Sequence, residues 1–340
     1  MAVTIKEIAE YANVSRGTVD RALHGRGGIR PEVEKRIRAI ADSMGYKPNS
    51  AAKALSNLKK KLNIGLLLPS IHNPFFADLI LGAQEAQRAL ADHGVELLLV
   101  EMRGYDIEEQ VRRIDWLVSQ KIDMLVLTPF DDSRIAEKIN ELTKQGIEVL
   151  TVNSDICNSD RVCYVGIDFE RSGHIAAGLL GLINHRANVL IVNGSPKLMS
   201  HGQRVRGFMD TIQSRFPEVR LVATVVCNDD NFAAYDLLRQ KLQDHPDIDM
   251  VYIVGEGITG VCAAISEFTL HQIDVICFDD VPHTKELFEE GKISATICQQ
   301  PYQQGYLVVQ QCYNRFIGSA SRENAVIELE NQIKIRESFY

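Results

Sequence analysis

The sequence predicts an all-α N-terminal head, a short helix-prone linker, and an α/β core of two doubly wound parallel-sheet subdomains. Three observations predict it. Residues 1–61 hold 13 Lys/Arg against six Asp/Glu, a net +7, whereas residues 62–340 hold 24 against 39, a net −15. Apolar residues in the basic segment recur at helical spacing, while the acidic remainder alternates near-continuous apolar runs with amphipathic stretches. At 340 residues the chain is long enough for more than one domain, and its charge asymmetry suits a basic module that touches a polyanion.

In the head, Thr4-Ile5-Lys6-Glu7 has the form of a capping box. Ile5, Ile8, Ala9 and Ala12 then predict a helix over residues 5–11. Ser15 suits the cap of a second helix running to about Leu23. Val14, Val19, Ala22 and Leu23 face back onto the first helix, which turns Arg16, Gly17, Thr18 and Arg21 toward solvent. Gly25-Arg26-Gly27-Gly28 reads as a loop. Pro31 fits the first turn of a third helix with Val33, Ile37, Ile40, Ala41 and Met44 as its apolar stripe. Three such helices make a helix-turn-helix, whose second helix enters the DNA major groove. Pro48 stops the third helix, and Asn49 to Ser56 is an Ala-rich run, either a plain linker or a helix too short to stand alone.

In the remainder, strand-like runs are Ile64–Leu68, Val95–Val100, Met124–Thr128, Val149–Val152, Val162–Ile167, Val189–Val192, Leu221–Val226, Met250–Val254, Val275–Phe278 and Ala295–Ile297. Helices are expected between them, for example over Phe76–His93, Ile107–Ser119, Glu170–Ile183 and His201–Arg215. About ten βα units exceed one sheet, so two lobes are expected, with a ligand beyond the carboxyl ends of the strands and between the lobes. Ser70, Asn73, Phe75 and Phe76 follow the first strand: the aromatics either cover a sugar face or belong to the core. Asn153, Asp168, Arg204, Asp279-Asp280 and Gln299 each stand at or just after a strand or at the start of a helix, and their planar polar groups pair with vicinal hydroxyls.

These motifs carry a resemblance. Val3-Thr4-Ile5-Lys6-Glu7-Ile8-Ala9, Ala12-Asn13-Val14-Ser15, Thr18-Val19-Asp20-Arg21-Ala22-Leu23 and Gly45-Tyr46-Lys47-Pro48-Asn49 are similar to the DNA-binding head of the LacI/GalR family of bacterial transcription regulators. The core resembles that family's sugar-binding domain in its variant close to periplasmic ribose-type binding proteins. Asn73-Pro74-Phe75-Phe76, Gly166-Ile167-Asp168, Arg204-x-x-Gly207-Phe208, Phe278-Asp279-Asp280 and Gln299-x-Pro301 carry it. The resemblance implies a homodimer on a near-palindromic double-stranded operator. Arg16, Gly17 and Arg21 stand at base-reading positions and Ser15, Thr18 and His24 at phosphate-contact positions, with Thr4 beside them. Asp20 stands where the family usually has Ser; it accepts from a cytosine amino group or orients Arg16 or Arg21. Asn49, Ala52 and Leu55 fall on a hinge helix that wedges Leu55 into the minor groove.

In the core, the resemblance assigns ligand contact to Ser70, Asn73, Phe75, Phe76, Asn153, Asp168, Arg204, Asp279 and Gln299. Glu256 joins them, although Gly255-Glu256 replaces the family's Asn-Asp. Asn153-Ser154 likewise replaces the Asp-Arg pair that grips a pentose. The expected domains are a head over 1–47, a hinge and linker over 48–61, and a core over 62–340. The first lobe takes about 62–160 and 292–322, the second about 161–291 and 323–340. The expected function is a ligand-controlled repressor of carbohydrate-utilisation genes, with the effector either inducing or co-repressing.

Other classes are disfavoured. There is no apolar stretch of membrane-span length, and Met1 to Glu7 does not open a secretory leader, so a cytoplasmic protein is expected. Seven cysteines without a CxxC pair suit reduced, buried thiols. No metal-ligand spacing, nucleophile elbow or catalytic constellation stands out, so no enzyme activity and no cofactor is expected. One rival motif is Gly255-Glu256-Gly257-Ile258-Thr259-Gly260, a GxGxxG after a strand, with Asp274 and Asp279 onward. It keeps open a nucleotide- or purine-responsive regulator or an NAD-binding protein.

Overall fold

The computed structural model describes residues 3–24, 28–46, 61–71, 73–269, 271–320 and 324–339. The chain divides into two compact units, Met1–Ser56 and Asn57–Tyr340. The expected hinge, with Asn49, Ala52 and Leu55, lies outside the described residues.

Among the described residues the first unit is three helices, α1 (Ile5–Ala12), α2 (Arg16–His24) and α3 (Pro31–Ser43). Thr4 opens α1 by the reciprocal capping box: its Oγ1 accepts from the Glu7 N–H at 3.3 Å, and Glu7 Oε2 accepts from the Thr4 N–H at 2.7 Å. Asn13, at a left-handed φ of 51°, ends α1, and the Thr18 N–H donates to Ser15 Oγ at the start of α2. Ile8, Ala9 and Ala12 of α1 meet Val19 and Ala22 of α2 and Ile37 and Ala41 of α3 in a small core. The expected stripe on α3 is only half sunk, because Val33, Ile40 and Met44 pack at its margin.

The second unit holds two six-stranded sheets. The first contains β1 (Leu62–Ile71), β2 (Val95–Arg103), β3 (Met124–Leu127), β4 (Glu148–Val152), β5 (Cys163–Ile167) and β11 (Ala325–Leu329), in the order β11-β5-β4-β3-β1-β2 and all parallel. The second contains β6 (Asn188–Asn193), β7 (Arg220–Val226), β8 (Met250–Ile253), β9 (Asp274–Phe278), β10 (Ala295–Cys298) and β12 (Gln332–Lys334), in the order β12-β10-β9-β8-β6-β7, with β12 antiparallel to β10. Buried strands such as Met124–Leu127 and Met250–Ile253 are covered by helices on both faces, which is why their sequences are unbroken apolar runs.

The structure corrects three sequence expectations. There are twelve strands among the described residues; β11 and β12 escape a search for apolar runs because neither has a fully buried residue. The lobe boundaries shift: Cys163–Ile167 pairs with β4 and β11, so it belongs to the first lobe, and Ala295–Cys298 pairs with β9, so it belongs to the second. The lobe boundary expected at about 160–161 falls in the segment that only connects β4 to β5. The chain crosses between lobes after β5, after β10 and between β11 and β12. Finally, six cysteines are buried as expected, but Cys157 is exposed.

Candidate effector cleft

The strand ends of the two sheets face one another across a narrow cleft with about 30 Å³ of free cavity volume. From the first lobe, β1 delivers Asn73, Phe75 and Phe76 at the start of α4 (Phe75–Ala89), and β4 delivers Asn153. From the second come Arg204 on α8 (Met199–Arg215), Glu256 after β8, Asp279 after β9 and Gln299 after β10. Asn153 and Asp279 follow their strands at left-handed φ values of 65° and 70°, and both side chains line the cleft.

Phe75 and Phe76 meet edge to face at 5.2 Å and are nearly fully buried, so they are core and cleft wall at once. Gln299 ties the polar floor together: its Nε2 donates to Asp279 Oδ2 at 2.5 Å, and its Oε1 accepts from Asn153 Nδ2 at 3.3 Å. Arg204, 3% exposed, donates through Nη1 to the Val254 carbonyl at 2.7 Å and lies 3.6 Å over the Phe278 ring. Its Nε and Nη2 have no protein partner.

Two expected ligand residues do not line the cleft. Ser70 donates to Glu101 Oε1 at 2.8 Å, because it is the penultimate residue of the strand rather than beyond it. Asp168 is the N-cap of α7 (Phe169–Ile183), its carboxylate accepting from the Arg171 N–H at 2.9 Å. Sequence reasoning missed Leu198, Ser200, His201, Asp229, Gly255 and Phe278, all of which line the cleft. A signal existed for two of them. His201 precedes Arg204 by three residues on one helix face, and Asp229 sits in a polar run just after β7.

Burial governs the electrostatics. It pushes Asp279 up to about 6, while the Arg204 charge works the other way. Asp229 rises to about 7 through burial, helped by the charge of Glu256, and burial raises Glu256 too. His201 is pushed down to about 3 by burial and then by Arg204, so it is neutral, and its Nδ1 accepts from the Ser195 N–H at 2.8 Å. Among the described residues no group of His, Cys, Asp and Glu is placed to hold a metal ion.

The periplasmic binding protein domain matches residues 64–319, and the bacterial regulatory protein domain of the lacI type matches residues 4–49. The chain belongs to the LacI family of bacterial regulators. Catabolite control protein A of Priestia megaterium is 22% identical over 345 residues, covering 99% of each chain. Ribose import binding protein RbsB of Bacillus subtilis (strain 168) is 25% identical over 289 residues, 84% of this chain and 92% of that one. Among solved structures, GanP, a glucose-galactose binding protein from Geobacillus stearothermophilus, superposes with a TM-score of 0.76 at 26% identity, covering 82% of this chain and 99% of its own. A solute binding protein from Burkholderia graminis C4D1M in complex with D-arabinose shares the fold, with a TM-score of 0.77 at 23% identity, covering 82% and 97%.

Membership in this family makes the protein a DNA-binding regulator rather than an enzyme, and no described helix is long and apolar enough to cross a membrane. Within the family fold the GxGxxG segment has a different explanation. Gly255 lines the cleft, where a Cβ would come within 2.3 Å of Asp229 Oδ1. Gly257 has φ +117°, and Gly260 lets α10 (Ile258–Phe268) press on the Asn231 carbonyl. The carboxylates of Glu256 and Asp229 at this turn also repel a pyrophosphate. On α2, Arg16, Gly17 and Arg21 are exposed and Thr18 and Asp20 half-buried. Thr18 shares a 2.9 Å hydroxyl hydrogen bond with Ser15, and the Asp20 charge, after burial, raises the Tyr46 hydroxyl.

Proposed function

We propose that the protein is a homodimeric, cytoplasmic repressor of carbohydrate-utilisation genes, whose hold on a near-palindromic operator is changed by a sugar or sugar derivative in the cleft. The observation that carries this is the cleft wall itself. Phe75, Phe76 and Phe278 supply apolar faces, and Asn73, Asn153, Arg204, Asp279 and Gln299 supply planar groups matched to vicinal hydroxyls, on a chain that also carries a helix-turn-helix. The ribose, arabinose and glucose-galactose named for its relatives support the same ligand chemistry. Catabolite control protein A supports a role in carbon regulation.

Arg16 and Arg21 read base edges, Gly17 permits close approach, and Thr4, Ser15, Thr18 and His24 position the helix on phosphates. Asp20 aims its arginine neighbours. Asn49, Ala52 and Leu55 form the hinge contact in the minor groove. Exposed Leu81, Val226 and Phe232 offer apolar surface to the second copy. Effector closes the lobes and alters how the paired hinges fold on DNA, a linkage that works equally in both directions. The test is operator binding by fluorescence anisotropy, with and without saturating sugar, alongside sugar titrations with and without operator. Equal shifts in the two affinities support the reading; sugar affinity unmoved by saturating operator refutes it.

A further inference from the structure

Resting on the reading of the cleft as an effector site, we propose that the effector is an unphosphorylated amino sugar whose ammonium group pairs with Glu256. The cleft carries three carboxylates, Asp229, Glu256 and Asp279, against one guanidinium, Arg204. Asp279 and Arg204 compensate each other. Around Asp229 and Glu256 the stabilising groups are backbone N–H donors and the Asn231 amide, with no Lys or Arg among them, and the neighbouring His201 is neutral.

Of the two, Glu256 has room for a ligand. Asp229 Oδ1 accepts from the Glu256 N–H at 2.9 Å, and Oδ2 accepts from the Tyr105 hydroxyl. Glu256, 8% exposed, is met by the Gly257 backbone N–H and, at 3.5 Å, by Asn231 Nδ2, neither of them a cation. A buried carboxylate without a cation is disfavoured, and a ligand ammonium removes that penalty where a hydroxyl only hydrogen-bonds. A second observation points to a ligand in the same space: Arg204, buried against Phe278, keeps Nε and Nη2 unpartnered in the cleft wall. Those donors suit hydroxyl or ring oxygens. The ligand therefore presents acceptors to Arg204 and a cation to Glu256. A phosphate would bring further negative charge to three carboxylates.

The test is calorimetric titration of the full chain with D-glucosamine, D-galactosamine and D-mannosamine, against D-glucose, D-galactose, D-mannose and D-glucosamine 6-phosphate. At least one amino sugar is expected to bind about tenfold or more tightly than its neutral parent, with the phosphate weaker, as charge-assisted hydrogen bonds require. Glu256→Gln is expected to bring that ratio close to one; the ratio in the parent protein decides even if this variant does not fold. Equal or tighter binding of a neutral sugar overturns the amino-sugar assignment while leaving the sugar-effector reading standing. Tightest binding of the phosphate overturns the assignment as well. No binding of any of the seven overturns the assignment, and titration with D-ribose and D-arabinose then decides the sugar-effector reading separately.

Discussion

The Tyr105 hydroxyl, from the first lobe, donates a hydrogen bond to the carboxylate of Asp229 in the second, and so spans the mouth of the cleft. Around it, Lys197 Nζ donates to the Tyr105 carbonyl and the Asp131 N–H to the Lys197 carbonyl, each at 2.7 Å. These contacts join residues of different lobes, so they exist only when the lobes are together. Tyr105→Phe keeps the ring against Phe130 and removes the hydroxyl alone. Because the lost bond belongs to the closed form, effector affinity should fall about tenfold. Titration of the variant checks this, and an unchanged affinity would show that the latch adds nothing to closure.

The same aspartate makes stability depend on pH. Burial holds Asp229 at about 7 and Asp279 at about 6 in the fold, against about 3.9 when unfolded. The folded core therefore binds more protons than the unfolded chain between roughly pH 4 and 7, and these groups cost stability as pH rises through that window. His201 works in the opposite sense, its contribution growing from about pH 3 toward its unfolded value near 6.5. Asp229→Asn removes one titration. The variant should gain on the parent between pH 5 and pH 8 by on the order of 1 kcal/mol, a figure discounted for partial exposure. Thermal melts of unliganded protein at the two pH values decide it, and parallel curves would count against a raised Asp229.

Arg204 links packing to response. It donates to the Val254 carbonyl, covers Phe278 and favours the ionised form of Asp279. Arg204→Ala leaves a buried carboxylate without its cation, which typically costs about 3–5 kcal/mol. The variant should melt lower and lose its effector response, while the separate helix-turn-helix unit keeps its operator affinity without effector. Anisotropy titrations with and without sugar test both halves, and a retained response would remove Arg204 from the site.

Much of this arrangement is legible in the sequence, and the exceptions share a cause. Asn73, Phe75, Asn153, Asp279 and Gln299 follow apolar runs that mark where strands end, and Arg204 lies in the second turn of the helix after β6, so position and chemistry coincide. Ser70 and Asp168 follow the same rule and fail it. A strand running on to Ile71 keeps Ser70 inside the sheet, and a helix cap claims Asp168 before a ligand can. Asp229 reaches the cleft from the run Asn228-Asp229-Asp230-Asn231 after β7, a strand the sequence does mark, but nothing local singles out one side chain of that polar run. The late strands β11 and β12 are invisible because neither carries a fully buried residue. Their order comes from hydrogen-bonding to β5 and β10, a tertiary fact no local pattern encodes.

In the head, Arg21 is exposed on α2, and the small core behind it holds without that side chain. Arg21→Ala should therefore leave melting of the head unchanged. Operator affinity should fall by about 1–3 kcal/mol with relaxed preference at one base pair, the signature of lost bidentate guanine readout. A uniform loss across all operator variants would instead make Arg21 a phosphate contact. Competition binding against single-base operator substitutions separates the two.

A pair of glycines tests how tightly the first lobe is built around the cleft. Helix α4 begins with Phe75 and Phe76 and packs on the helix Pro301–Phe316; a Cβ on Gly82 would lie 2.0 Å from the Tyr302 carbonyl oxygen. Backbone cannot yield as a flexible side chain does, so Gly82→Ala must push the two helices apart. Overpacking costs about 1–3 kcal/mol, more than the roughly 0.5–1 kcal/mol that Ala gains over Gly in a helix. Since α4 carries both aromatic walls, effector affinity should fall along with stability. Gly178, inside α7, has nothing within 4 Å of its would-be Cβ. Gly178→Ala should therefore raise the melting temperature through propensity alone and leave effector binding unchanged. Opposite signs for the two substitutions in one melting experiment would tie the loss to helix contact; the same sign would mean that the close crossing at Gly82 does not hold the cleft wall in place.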